Sequence, residues 1–583
     1  MPDPARVSLA FAALLAALPF LFPEHRPPFP SFYDEWVAVS LAALAVAAML
    51  TARRSGKEVL PDLAVWLLLF AAWLALQAAL REPAYPQLPI AGIAYLLTAA
   101  QLAWLGHALA ERCGTQRVVD ILAWAILAGA IANAAIGILQ FYGVPRFLTG
   151  FIATTPGPRI VGHVGQANLF ADYMALGQAA LLYLVARDRL RGPLWWSVAA
   201  LLVLSSAYTQ SRSAILFSLW IYAAAFSLRH RGAPWKRLAR HAGILVLGTL
   251  AAMAVVRVSA LDRLSGIAGE PRLALWALAW QLFADSPWLG VGWGEFAGAA
   301  FGAGLPPLLG VHDGRWTSAH NVVLQALAEA GVIGAALVLI AAVRWWRRAW
   351  TDLRSAPTLP LWWVTAAVGT ISLHALLEEP LSYAHVLGLA ALVAGIASRT
   401  TLKFPAVPMR VCLLAANLGA FAALAWSLFD YQRFDRAYVV ASGRTLASAE
   451  EVAAAVEELR ALAHGPLGAQ VAPWLFQSLA PANEDPAALV AMGERALRRS
   501  PTPEVIARNA AALARAGRLA EATRLVEHAL ETLPGRRARL ESALERAGFP
   551  SAPRGALPPP RARRERRAAP PRRPPAARRL PPR

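Results

Sequence analysis

The sequence predicts an all-α fold: a polytopic transmembrane helical bundle of about 12–13 spans, a long periplasmic loop, a C-terminal soluble helical repeat-like domain and a tail. Three observations carry this. The 583 residues are 57% hydrophobic and 16% charged, with a mean hydropathy of +0.44, more apolar surface than a soluble core could hide. Uncharged runs of about 16–24 residues recur, long enough or nearly so to cross roughly 30 Å of hydrocarbon. The loops between them alternate between rich and poor in basic residues.

Thirteen candidate spans lie near 8–22, 36–52, 60–80, 88–109, 119–142, 168–186, 194–209, 213–228, 241–258, 321–343, 360–377, 383–398 and 411–429. The segments 194–209, 213–228 and 383–398 are shorter and fit tilted partners or half-spans. Alternate loops hold twenty Lys and Arg, from Arg53 to Arg410. The intervening loops hold eight: Arg26, Arg81, Arg146, Arg159, Arg212, Arg263, Arg272 and Arg315. Basic side chains accumulate on the cytoplasmic side. The N-terminus is therefore expected inside a bacterial inner membrane, and residues 431 onward on its periplasmic side. The first span ends at Leu21-Phe22-Pro23 rather than at small residues, and reads as a retained anchor. Cys113 and Cys412 are the only cysteines, both at cytoplasmic span ends, so no disulfide framework or cysteine metal site is expected.

Three regions follow. Residues 1–430 form the membrane domain, whose outer loops are short except 143–167 and 259–319; long loops on a rigid scaffold are usual homes for binding and chemistry. Residues 431–550 change to an Ala/Glu/Arg/Leu-rich helical pattern. There Gly517, Glu521-Ala522, Ala529-Leu530 and Pro534 echo Ala496-Leu497 and Pro501 at a spacing near that of tetratricopeptide repeats. A helical hairpin stack serving as an interaction surface and an ordinary helical bundle both fit this pattern. Residues 551–583 are Pro/Arg-rich and read as a disordered tail. That tail supplies half of the formal +20 charge, so the basic balance argues for no nucleic-acid partner.

Polar side chains gather at the outer span ends, where their placement is informative. Arg212 and Arg272 stand near predicted helix N-termini, and guanidinium forks with free N–H groups suit a phosphate-bearing headgroup. His320 also opens a helix. Helix-end potential and nearby arginines should hold its imidazole neutral, able to accept a hydroxyl proton. By spacing alone Arg159 and Arg263 read as headgroup anchors, His163, His312 and His374 as packing histidines, and Trp276, Trp280 and Phe283 as an interfacial stripe. His374 and Glu378 fall four apart, ahead of Glu379-Pro380-Leu381, and Glu329 lies two turns into a span. No phosphate-cradling Walker loop or carboxylate–histidine metal cluster appears, so no cofactor is expected.

In order, the stretches Gly162-His163-Val-Gly165-Gln166-Ala-Asn168, Ser211-Arg212-Ser213, Gly290-Val-Gly292-Trp293-Gly294, His320-Asn321 with Glu329-Ala-Gly331, and Glu378-Glu-Pro380-Leu381 with Tyr383 span about 150–390. The ordered set resembles the O-antigen ligase superfamily, closest to its PglL-type bacterial O-oligosaccharyltransferases. Gly162-His163 replaces a frequent Gly-Asn, and Glu378-Glu379-Pro-Leu a Glu-Tyr-Pro-Leu.

The resemblance implies metal- and nucleotide-independent transfer of a preassembled glycan from undecaprenyl pyrophosphate to Ser or Thr of an exported protein such as a pilin, recruited through 431–550. It implies catalytic roles for His320, Arg212 and Arg272. Substrate contacts are expected from Gln166, Asn168, Arg159, His163, Asn321, Glu378 and Tyr383. Transfer to lipid A-core or to a lipid-linked chain is the alternative within the superfamily. A transporter or flippase is the rival from another class, and would call for mid-membrane polar groups and broken helices in paired halves.

Overall fold

The computed structural model describes residues 3–25, 28–52, 57–152, 159–256, 271–306, 309, 316–479 and 485–549. Arg26, Arg53, Arg54, Arg263, His312, Arg315 and the 551–583 tail lie outside the described residues.

Every predicted span contains a helix. Among the described residues nine segments are long and apolar enough to cross a membrane, from Pro4–Leu21 to Ala406–Ala441. The helices Gly192–Tyr208, Leu359–Ala375 and Ala384–Ile396 are apolar but shorter, and Arg212–Phe226 has 15 residues. The protein is a multi-pass helical membrane protein. One helix, Ala167–Ala186, is buried on all sides, as expected of a helix apolar around its whole circumference. Five neighbours enclose it, among them Thr115–Tyr142 and Leu359–Ala375. Its polar groups find partners across helices, as lipid demands. Gln178 lies 3.2 Å from Ser206 and 3.2 Å from Ser218, and Asp172 lies 3.2 Å from His374.

Two expectations need correction. The fold is not purely helical: Lys57–Pro61 and Thr401–Pro405 pair antiparallel, with Glu58 opposite Phe404 and Leu60 opposite Leu402. The strands are five residues each and more than 300 positions apart, so no hairpin turn announced them. Arg410 closes the ribbon onto the helix that follows, reaching Glu58 at 3.5 Å. The chain also does not break near 430, because Ala406–Ala441 is one 36-residue helix. Where its sequence turns polar, Arg433 ties Asp430 (3.2 Å) to Glu458 (2.5 Å) of the next helix.

Beyond it come Ala449–Leu462, Gly468–Leu479, Pro486–Arg499, Pro503–Arg515, Leu519–Thr532 and Arg537–Arg546. Their starts are written in the sequence. Ser448 and Glu451 form a reciprocal capping box, while Asp485 and Thr502 each cap a helix whose first residue is proline. Leu489, Val490, Ile506, Leu513 and Leu530 make the apolar centre of the later helices, and Phe301 of the outer loop inserts into it.

Candidate active site

The site begins with an interruption. Within Val322–Ser355, Gly331 adopts φ 69°, ψ −173°, and the helix breaks there, a break that hydropathy does not reveal. Freed carbonyls inside a membrane protein must be satisfied locally, and the glycine-rich outer turn does so. Val291 N–H donates to the Ala328 carbonyl (2.8 Å), Gly292 N–H to that of Glu329 (3.1 Å), and Val332 N–H to that of Pro287 (2.8 Å). Gln77 reaches the Glu329 carbonyl (2.6 Å) and Trp73 that of Ala330 (2.9 Å). A β-carbon at Gly331 would lie 2.2 Å from the Trp288 carbonyl, and one at Gly290 would lie 2.4 Å from Glu329 backbone. Two stretches that read as separate motifs are thus the halves of one joint.

The joint fixes the start of the same helix. Asn321 caps it, its Oδ1 accepting from Val323 N–H (3.0 Å) and Leu324 N–H (3.1 Å), while its Nδ2 donates to the Leu376 carbonyl (3.0 Å). Just ahead, His320 sits at φ 47°, left-handed backbone that is uncommon for a residue with a β-carbon. This turn aims its imidazole at Glu378, with Nδ1 2.5 Å from Oε2. The Glu378 carboxylate, 5% exposed, is the hub. Its Oε1 accepts from Arg272, in the first turn of Pro271–Asp285, and from Asn168 Nδ2 at 2.8 Å. Arg159 then donates to Asn168 Oδ1 (3.0 Å) and to the Thr209 carbonyl (2.7 Å). Residues from five separate stretches of chain therefore meet in one hydrogen-bonded line.

The electrostatics follow. Burial alone would push the Glu378 carboxyl up, but the His320 imidazole and the Arg272 guanidinium outweigh it and bring it down to about 2. Burial likewise disfavours imidazolium at His320, yet Glu378 and Glu379 overcome it and the net direction is upward. This reverses the expectation of a histidine held neutral by helix-end potential and arginines, because no spacing argument placed a carboxylate 2.5 Å from its ring. Glu379 goes the other way, raised chiefly by burial. With Nδ1 on the carboxylate, Nε2 has no hydrogen-bond partner among the described residues and is the nitrogen left to meet a ligand.

The other expected residues are placed as follows. Arg212 opens its helix three positions after Thr209, the residue that Arg159 holds. Gln166 is exposed just ahead of Ala167–Ala186 and is not hydrogen-bonded to the Glu378 cluster. His163 is buried, its Nδ1 2.9 Å from the Leu21 carbonyl and its backbone N–H held by Asn133 (3.0 Å), which accounts for its ring structurally. Tyr383 heads the Ala384–Ile396 helix and, with burial the main cause, its phenol is pushed up.

Beside the line opens a cavity of about 640 Å³. Its outer end is lined by His320, Asn321, Glu378, Glu379 and Tyr383, and its inner reach by Leu67, Phe70, Leu337, Val338, Trp345 and Ile371. Sequence reasoning missed several of its polar residues. Glu35, joined to Tyr95 by a hydrogen bond, carries a signal in the Asp34-Glu35 pair at the head of an apolar helix. Gln470 and Arg499, from the C-terminal helices, carry none.

Parts of the chain match known families and a known protein. Residues 173–339 match the O-Antigen ligase family model, covering Arg212, Arg272, His320 and the joint. Residues 362–546 match the family of virulence factor membrane-bound polymerases in their C-terminal part, covering Glu378, Tyr383 and Arg499. The general O-oligosaccharyltransferase of Acinetobacter baylyi is 25% identical over 406 residues, 65% of this chain and 67% of its own. Over these stretches the chain is similar to the O-antigen ligase superfamily and to its PglL-type O-oligosaccharyltransferases.

Proposed function

We propose that the protein is an O-linked oligosaccharyltransferase, moving a preassembled glycan from undecaprenyl pyrophosphate to Ser or Thr hydroxyls of exported proteins such as pilins, on the periplasmic side of the inner membrane. The observation that carries this is the His320–Glu378 pair, to which Arg272 is bonded, at the polar end of a cavity whose other end is apolar. A lipid-linked sugar has the same two-ended character.

The geometry supports the following reaction. The acceptor hydroxyl gives its proton to Nε2 of neutral His320 as its oxygen attacks the anomeric carbon. The bond from that carbon to the pyrophosphate oxygen breaks, with inversion in a single displacement. The departing charge is met by Arg272, and Arg212 and Arg159 are assigned the same role. Glu378 orients the ring through Nδ1 and stabilises the imidazolium that forms, which returns its proton to water. Gln166, Asn168, Asn321 and Tyr383 are assigned to holding donor and acceptor. No metal or nucleotide is required in this scheme.

The test is transfer in detergent with EDTA, using purified protein, undecaprenyl-pyrophosphate oligosaccharide and a pilin-like acceptor. Glycan on the acceptor with wild type is expected, with a loss of roughly 10²–10⁴-fold for His320→Ala. The match to a polymerase family model favours one second reading, transfer onto a lipid-linked or lipid A-core acceptor. Glycan appearing there and not on protein would replace the acceptor assignment. No transfer to any of these acceptors from folded protein would sink the transferase reading.

A further inference from the structure

The outer wall of the cavity is not built by the membrane helices alone. Gln470 and Arg499, from Gly468–Leu479 and Pro486–Arg499, line it together with His320 and Glu379. Two other arginines of the second helix seat it there. Arg498 Nε lies 2.9 Å from Oε2 of the buried Glu295, and Arg495 donates to the Ala84 carbonyl at 3.1 Å. A β-carbon at Gly298 would come within 2.5 Å of the Arg498 backbone, so the docking is close.

Arg499 differs from its neighbours. Among the described residues its guanidinium is in no hydrogen bond or ion pair, and Glu329, Glu379 and Glu295 act on it only from longer range. The Gln470 amide likewise has no side-chain partner among the described residues. A half-buried guanidinium carries five N–H donors, and leaving them without acceptors is costly. A ligand rich in oxygen would satisfy them.

The surroundings choose which oxygen. Among the described residues lining the cavity, Glu35, Glu329, Glu378 and Glu379 carry carboxyl groups and Arg499 is the one Arg or Lys. A phosphate dianion beside Arg499 would find a single guanidinium among four carboxyl groups of the described lining, too little positive charge to balance it. A polyhydroxyl ligand suits both signs, since each hydroxyl can accept from the guanidinium and donate to a carboxylate. We propose that the C-terminal helical domain forms part of the substrate site, with Arg499 and Gln470 hydrogen-bonding the hydroxyls of the donor's glycan. This rests on the transfer reading above, in which the pyrophosphate is met by Arg272, bonded to Glu378.

The test is binding, measured apart from transfer. Full-length protein in detergent is titrated with undecaprenyl pyrophosphate bearing a neutral N-acetylhexosamine disaccharide, and with the bare lipid pyrophosphate, following tryptophan quenching. Arg499→Ala should weaken the glycan-bearing lipid roughly tenfold or more and leave the bare lipid unchanged, with Arg499→Lys in between. Gln470→Ala should act in the same direction, and melting should stay at the wild-type value because neither side chain has a native partner. Equal weakening of both lipids, or of neither, overturns the proposal. So does recovery in Arg499→Ala/Glu379→Gln, which would make Arg499 a counter-charge only. Wild-type protein that fails to prefer the glycan-bearing lipid overturns it too. Glycan-selective binding without transfer to any acceptor would end the transferase reading and leave this assignment standing.

Discussion

Replacing Glu378 by Gln changes almost no volume and removes one charge, so its consequences can be worked out from the hub. The carboxyl is held at about 2, against an ordinary 4.5, by His320 and Arg272 overcoming its burial. A difference of that size corresponds to about 3 kcal/mol of preference for the ionised form. If all of it served the imidazolium that forms during transfer, its loss would cost roughly 300-fold in rate. Arg272 takes part of the carboxylate's charge while burial opposes both partners, so roughly 300-fold sets the order of magnitude.

The sign of the pH effect is fixed as well. His320 is raised above its usual 6.5 in the wild type, so the base form is lost as pH falls through a value above 6.5. Without the Glu378 carboxylate, burial and Arg272 lower it against Glu379 alone, and the acid limb of the rate profile should move to lower pH. Transfer measured across roughly pH 5 to 9 with both proteins decides this. An acid limb that stays put in Glu378→Gln would refute His320 and Glu378 as the titrating pair. Stability runs the opposite way from the histidine. A depressed carboxyl contributes above its unfolded value of 4.5, and that contribution fades as pH falls towards about 2.

Other perturbations test the scaffold. Arg272→Lys should retain charge but lose the planar fork, giving a smaller rate loss than Arg272→Ala but not wild-type transfer; equal rates for Lys and Arg would deny the fork a role. Asn321→Ala removes a cap with two N–H partners and a tie to Leu376, and should cost about 1–2 kcal/mol in thermal or denaturant unfolding. Gly331→Ala combines strained backbone with a β-carbon 2.2 Å from a carbonyl. It should cost roughly 3 kcal/mol or more, read as a lower melting temperature, and an unchanged melt would mean the joint is looser than described.

The membrane helices were legible because lipid imposes a length and a composition on each, and runs such as 168–186 announce themselves. Helix starts at Asn321, Asp485 and Thr502 were legible because a cap is a local signal. The hub was legible only in pieces. His320, Arg272, Asn168 and Glu378 each stood out as a polar group at an outer span end, but nothing local says that a carboxylate 58 residues from His320 bonds its ring. The error over the charge of that histidine follows directly from this. The ribbon at Lys57–Pro61 and the arrival of Arg499 in the cavity are long-range pairings between elements with ordinary local patterns, and spacing cannot expose them. The helix break escaped for a related reason: hydropathy counts side chains, whereas the break is a backbone event stabilised by a distant turn.

That break also sets how the region should open. The amides of Val291, Gly292 and Val332 are protected only while both halves of the joint are in place, since each bond runs from one half to the other. They should therefore exchange with deuterium as a single cooperative unit, at a common rate, rather than fraying one by one. Because the helix carrying His320 is half of that unit, a ligand that slows exchange at the histidine's end should slow it equally across the 287–292 turn. The break would then act as a mechanical link through which occupancy of the cavity is felt by the outer loop.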